Sequence, residues 1–126
     1  MGVFDALRAS LGYEYSRGSW FWVPVSEARA ARGVRPFGQG KTRPVVLATR
    51  LGPDAVLFPR STKPSSFRHD AHRHAPDPPC RIDRPGWVPL HLRAVVDLQL
   101  LNEESYSCEE PEGSQLFGAM LEALRP

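Results

Sequence analysis

"RPVVLATRLGPDAVLFPRST", residues 43–62, decides the fold. Pro44 opens an apolar, β-branched run, Leu51-Gly52-Pro53-Asp54 reads as a turn, and a second apolar run ends at Pro59. Two short runs on either side of a Gly-Pro turn predict an antiparallel hairpin over residues 44–60. In such a hairpin the start of the first strand lies beside the end of the second. Arg43 is therefore expected near Ser61 and Thr62. The residue before a proline is driven to extended geometry, which fixes the backbone of Arg43. Two readings of that arginine stand: a solvated charge at a strand end, or a fixed cation for a phosphate, with forked donors and permanent charge.

Outward from the hairpin, "SWFWVPV" (residues 19–25) has strand spacing with apolar residues on both faces. Residues 26–43 carry Gly33, Gly38, Gly40 and Pro36 and read as a long basic loop. Residues 61–79, with Pro64, Pro76, Pro78 and Pro79, read as a second long loop. "CRID" and "GWVPLH" read as short strands around the turn at Arg84-Pro85-Gly86. "RAVVDLQLL" reads as a strand with a helical turn before it, and "NEESYSCEEPEG" as a loop. Val3, Phe4, Leu7 and Leu11 predict a short N-terminal helix. Ser114 opens a last helix whose stripe is Leu116, Phe117, Met120, Leu121 and Leu124. Many short strands with a helix at each end predict a mainly β (α+β) fold: a small antiparallel barrel with a helix packed on it.

At 126 residues the chain suits a single domain, and its 41% apolar and 24% charged residues are those of a soluble globular protein. No apolar stretch reaches the length of a membrane span, and the N-terminus lacks the centre of a signal peptide. A cytoplasmic protein without a membrane partner is expected. In a reducing cytosol Cys80 and Cys108 are expected to be thiols, and two cysteines do not make a zinc site. The net charge of +2 conceals an asymmetry. Residues 29–93 hold thirteen Lys or Arg against four Asp or Glu, whereas residues 94–126 hold one Arg against seven acids. A basic middle suggests a polyanion partner; the other reading is that the acidic tail folds back and neutralises it.

Around the hairpin end, Lys41, Arg60 and Lys63 add cations to Arg43, and Ser61 and Thr62 add hydroxyls. Such a set suits a phosphodiester, because phosphoryl transfer depends on positioning and on stabilising oxygen charge. For each hydroxyl taken alone, turn formation is the competing role. "HDAHRH" offers His69, His72 and His74 with Asp70, but its spacing matches no zinc signature, so no metal and no cofactor is expected. With Arg68 and Arg73 these histidines read as a solvated or RNA-facing loop, from which one imidazole is able to act as acid or base. Trp20, Trp22 and Trp87 read as core, although an exposed ring is able to stack a base.

The order of these segments resembles the MazF/PemK (Kid) family of toxins from type II toxin–antitoxin systems. "RGSWFWVPV", a glycine-rich basic loop, "GKTRPVVLA", "VLFPRST", "GWV", "AVVDLQLL" and a terminal helix carry the likeness, over about residues 17–124. The resemblance implies an SH3-like barrel, CcdB/PemK-like, with the N-terminal helix of residues 1–16 as an extension outside it. It implies a homodimer that cuts single-stranded RNA selectively and without metal, and that is neutralised by an antitoxin laid over its groove. In the implied reaction a 2′-hydroxyl attacks its own phosphate, leaving a cyclic phosphate and a 5′-hydroxyl. Arg43 falls at the family arginine, and Ser61, with Thr62 as second choice, at the family threonine. Lys41, Arg60, Lys63 and Arg68 would then contact RNA. His91 stands where several members carry Asp-Gln; either it replaces the carboxylate as base, or that step is absent. The same fold includes gyrase poisons, which act through the terminal helix without cutting RNA, so protein or nucleic-acid binding without catalysis is the competing expectation.

Overall fold

The structure, a computed structural model, describes residues 15–24, 29–30, 42–62, 71–90 and 93–125. The expected N-terminal helix and most of the first basic loop lie outside them. So do Lys41, Lys63, Arg68, His69 and His91.

The hairpin forms as expected and is longer at its start. β3 (Thr42–Leu51) and β4 (Asp54–Pro59) pair antiparallel, with Val45 opposite Pro59 and Leu51 opposite Asp54. Around them lie β1 (Ser19–Pro24), β2 (Arg29–Ala30), β7 (Ala94–Asp97) and β8 (Tyr106–Glu109). These strands make one six-stranded sheet in the order β2-β7-β4-β3-β1-β8, every pairing antiparallel. β5 (Ala71–His74) and β6 (Gly86–Pro89) make a separate two-stranded ribbon. Among the described residues the sheet keeps two ends and no closed barrel forms.

Alternation along the strands sends side chains to opposite faces, and both faces are buried. Phe21, Val23, Val45, Leu47, Leu57 and Val96 fill one cluster, against which Tyr15 and Tyr106 pack. Trp20, Val46, Phe58, Ile82, Val88, Leu116 and Met120 fill the other. The C-terminal helix (Gln115–Ala123) supplies Leu116 and Met120, and the ribbon supplies Val88. Ser114 caps that helix, its side chain accepting from the Phe117 N–H. At the other end Arg93 donates to the Ala123 carbonyl and lies over the Phe58 ring. A cation at a helix C-terminus also meets the negative end of the helix dipole.

Five local expectations are corrected. The acidic stretch is not all loop: β8 pairs with β1. It is an edge strand with half-exposed residues, so it lacks the apolar alternation that marks inner strands. The second loop contains β5, whose inward residue is the polar His74. "CRID" is not a strand. Pro78–Cys80 form a 3-10 turn closed by Arg81 in the left-handed region at φ 60°, and Ile82 bridges back to Asp77. The helical turn near β7 follows it, at Leu98–Leu100, because Asp97 caps that turn by accepting from the Gln99 N–H. Finally, Cys80 and Cys108 are joined as a disulfide, with Cα atoms 5.0 Å apart. The 3-10 turn sets Cys80 beside β8, at a separation a bridge requires. No helix among the described residues is long and apolar enough to cross a membrane.

Candidate functional site

The hairpin register carries on past Val45–Pro59, because the Arg60 N–H donates to the Pro44 carbonyl at 3.1 Å. The next step brings the end of β4 alongside Arg43. There the chain divides. Ser61 leaves β3 and pairs through its backbone with Trp87, by bonds of 2.8 and 2.7 Å, which buries it at 5% exposure. Thr62 turns outward and is exposed. The result is an open cleft of about 270 Å³ lined by Trp22, Thr42, Arg43, Pro44, Arg60, Thr62, Ile82, Asp83 and Arg84.

Among the described residues, three arginines, one carboxylate and two hydroxyls therefore line one cleft beside a half-buried indole. Trp22 is oriented by its Nε1–H, which donates to the Cys80 carbonyl at 3.3 Å. Arg43 is half-buried on β3, opposite Val23 of β1. Thr42 and Thr62 come from the two ends of the hairpin. Asp83 and Arg84 come from the segment between the 3-10 turn and the ribbon.

Arg60 is of another kind. It is 3% exposed, and its donors are taken up inside the protein. Its Nε donates to His74 Nδ1 at 2.9 Å, and its Nη2 to the carbonyls of His74 and Arg84 at 3.1 and 2.5 Å. Burial draws its pKa below the ordinary arginine value, and Asp77 and Asp83 act against that. Gly86 lies directly against this guanidinium. A Cβ there would sit 2.6 Å from Nη1 and 2.7 Å from the Ser61 carbonyl oxygen, so the position admits no side chain without movement.

Behind Arg60 the polar network continues. His74 stacks on Trp20, ring centroids 4.9 Å apart, and its Nε2 is 3.4 Å from Glu110 Oε1. The Trp20 Nε1–H donates to the same oxygen at 3.0 Å. Burial alone would push the Glu110 carboxyl up. Hydrogen bonds from His74, Ser114 and Trp20 outweigh it, and bring the pKa down to about 2. His72, two residues earlier on β5, has its pKa lowered by burial and by His74, with Glu110 opposing.

Of the residues singled out in the sequence, the structure gathers Arg43, Arg60 and Thr62 at the cleft. Ser61 is buried beside it, and His74 stands behind Arg60. Sequence reasoning missed Asp83, Arg84 and Glu110. Asp83 was hidden by reading "CRID" as a strand, and Arg84 by being read as part of the turn at Arg84-Pro85-Gly86. Glu110 was hidden inside a run of acids, and nothing in its local sequence distinguishes it from Glu109 or Glu112. No protein-family model matches the sequence, and no curated protein matches it.

Proposed function

We propose that this cleft binds single-stranded RNA and cuts it, as in the MazF/PemK toxins that the segment order resembles. The observation that carries the reading is the meeting of Arg43, Arg84 and Thr62 with the Trp22 ring in one open cleft. Guanidinium groups and a hydroxyl suit a phosphodiester, and an indole suits a neighbouring base. On this reading the sheet is the core of an SH3-like barrel, and the protein is a homodimer whose cleft an antitoxin covers.

The chemistry follows from the lining. Asp83, the one carboxylate among the described residues at the cleft, takes the proton of the attacking 2′-hydroxyl. Arg43 neutralises the charge that develops on the phosphate oxygens, and Thr62 donates to one of them. As the 2′-oxygen bonds to phosphorus the P–O5′ bond breaks, and the departing 5′-oxygen takes a proton from a water molecule, leaving a cyclic phosphate and a 5′-hydroxyl. Arg60 acts as a wall that sets the Arg84 carbonyl and the ribbon in place.

The test is incubation of the purified full-length protein with mixed RNA in a chelator, with both cut ends mapped. Site-selective cuts ending in a cyclic phosphate are expected, and Arg43→Ala should slow them by roughly 100-fold or more. Cleavage unchanged by Arg43→Ala, or no cleavage by the folded protein, refutes the reading. Growth arrest without cleavage, relieved by substitutions in the C-terminal helix, would favour the gyrase-poison alternative.

A further inference from the structure

We propose that Asp77, Cys80 and Cys108 form a redox-gated site for a zinc-class metal ion, closed while the two sulfurs are bonded and able to take the ion once they are reduced. A carboxylate oxygen and two sulfurs from these residues lie within 4.8 Å of one another. A tetrahedral zinc site, with bonds of about 2.0–2.3 Å, sets its donors roughly 3.5–3.8 Å apart, so side-chain adjustment reaches that geometry.

The backbone around the site is tightly bonded. Asp77 and Cys80 sit three residues apart on one turn, the spacing that lets two ligands of a zinc knuckle share an ion. The Cys80 N–H donates to the Asp77 carbonyl at 3.0 Å. Asp77 and Ile82 exchange backbone bonds of 2.8 and 3.1 Å. Pro78 and Pro79 stiffen the span between the two donors. Cys108 approaches from β8, held in register against Trp20. Arg81 ties the turn to the same strand, its Nη2 donating to the Tyr106 carbonyl at 3.2 Å. Neither side of the site therefore depends on the bridge alone for its position. Cys80 is fully buried, while Asp77 and Cys108 are half-buried and open a route from solvent.

The donor set selects the ion. Two thiolates favour zinc-like metals over calcium or magnesium, and three protein donors leave a fourth position for water. Opening the site takes two electrons and two protons from a thiol reductant, which ends as its own disulfide. Ion binding then displaces the two thiol protons. The site is separate from the nuclease reading and does not rest on it.

The experiment uses the full chain, reduced with a dithiol, freed of it anaerobically and titrated with Co²⁺ and then Zn²⁺. One equivalent of Co²⁺ should bind, with thiolate-to-cobalt charge-transfer absorption and the strong visible bands of a four-coordinate ion. Zn²⁺ should erase them, and the oxidised protein should show none. Cys108→Ser should lose the full spectrum. Asp77→Asn should weaken Co²⁺ binding at least tenfold while still forming the Cys80–Cys108 bridge when oxidised, which shows that its fold survives. The proposal is overturned if reduced protein gives no thiolate–cobalt absorption. It is equally overturned if Asp77→Asn binds Co²⁺ as tightly as the unaltered chain, or if oxidised protein binds it the same way.

Discussion

Arg43 on β3 and Arg60, one residue past the end of β4, line the same cleft and differ in what surrounds them. Arg43 opens onto the cleft. Arg60 is 3% exposed and bonded to His74 and to two carbonyls. The cleft side turns polar groups toward an open space; the Arg60–His74–Glu110 side has its polar groups bonded to one another inside the protein. A buried polar network is costly to break, because each remaining member loses its partner without gaining water. A charge at the edge of an open cleft keeps part of its hydration, so the fold depends on it less. The same residue type thus divides into a cleft-lining group and a structural tie, according to burial.

The largest expected effect falls on the buried side. Glu110→Ala strips Trp20 Nε1 and His74 of their acceptor and should destabilise the protein by about 3–5 kcal/mol in urea unfolding. A loss under about 1 kcal/mol would erase the contrast between the two regions.

Next in size is the pH response of the same carboxyl. Its folded pKa of about 2 lies below the ordinary 4.5. Its contribution to stability is therefore complete above about pH 4.5 and is lost as the pH falls toward 2. The difference corresponds to about 3 kcal/mol. Unfolding midpoints followed from pH 6 down to pH 2 should show that decline, and Glu110→Gln should flatten it.

Gly86→Ala should cost about 1–3 kcal/mol, since the new methyl meets the Arg60 guanidinium and the Ser61 backbone. Arg60→Ala in the same background should relieve part of that penalty, and a double-mutant cycle in thermal unfolding measures the coupling. Simple additivity of the two substitutions would show that Gly86 is not fitted to Arg60.

The smallest stability change should come from the cleft. Arg43→Ala is expected to shift unfolding by no more than about 1 kcal/mol, while lowering by about one the salt slope of the RNA binding proposed above. A large loss of stability with no change in that slope would place Arg43 on the structural side and reverse the comparison.

Several features were legible in the chain itself. β-branched runs on either side of Gly52-Pro53 specify the hairpin, because pairing adjacent segments needs only local geometry. Ser114 and the stripe after it specify the last helix for the same reason. The nearness of Arg43 to Thr62 follows from antiparallel pairing alone. β8 was illegible because an edge strand with half-exposed residues carries no apolar period. β5 was illegible because its inward position is filled by a histidine whose partners, Arg60 and Glu110, lie far along the chain. The fate of the cysteines turned on the 3-10 turn at Pro78–Cys80, which sets Cys80 against β8 across 28 residues.

By itself, then, the sequence determined the elements whose signals are local: strand runs, turn residues, a helix cap and the charge of each segment. Only the tertiary structure decided which arginine faces a cleft and which is walled in, which hydroxyl turns outward, and which acid among seven is buried. Those outcomes depend on contacts between residues distant in the chain, and burial, which sets the worth of each polar group, is a property of the packed whole.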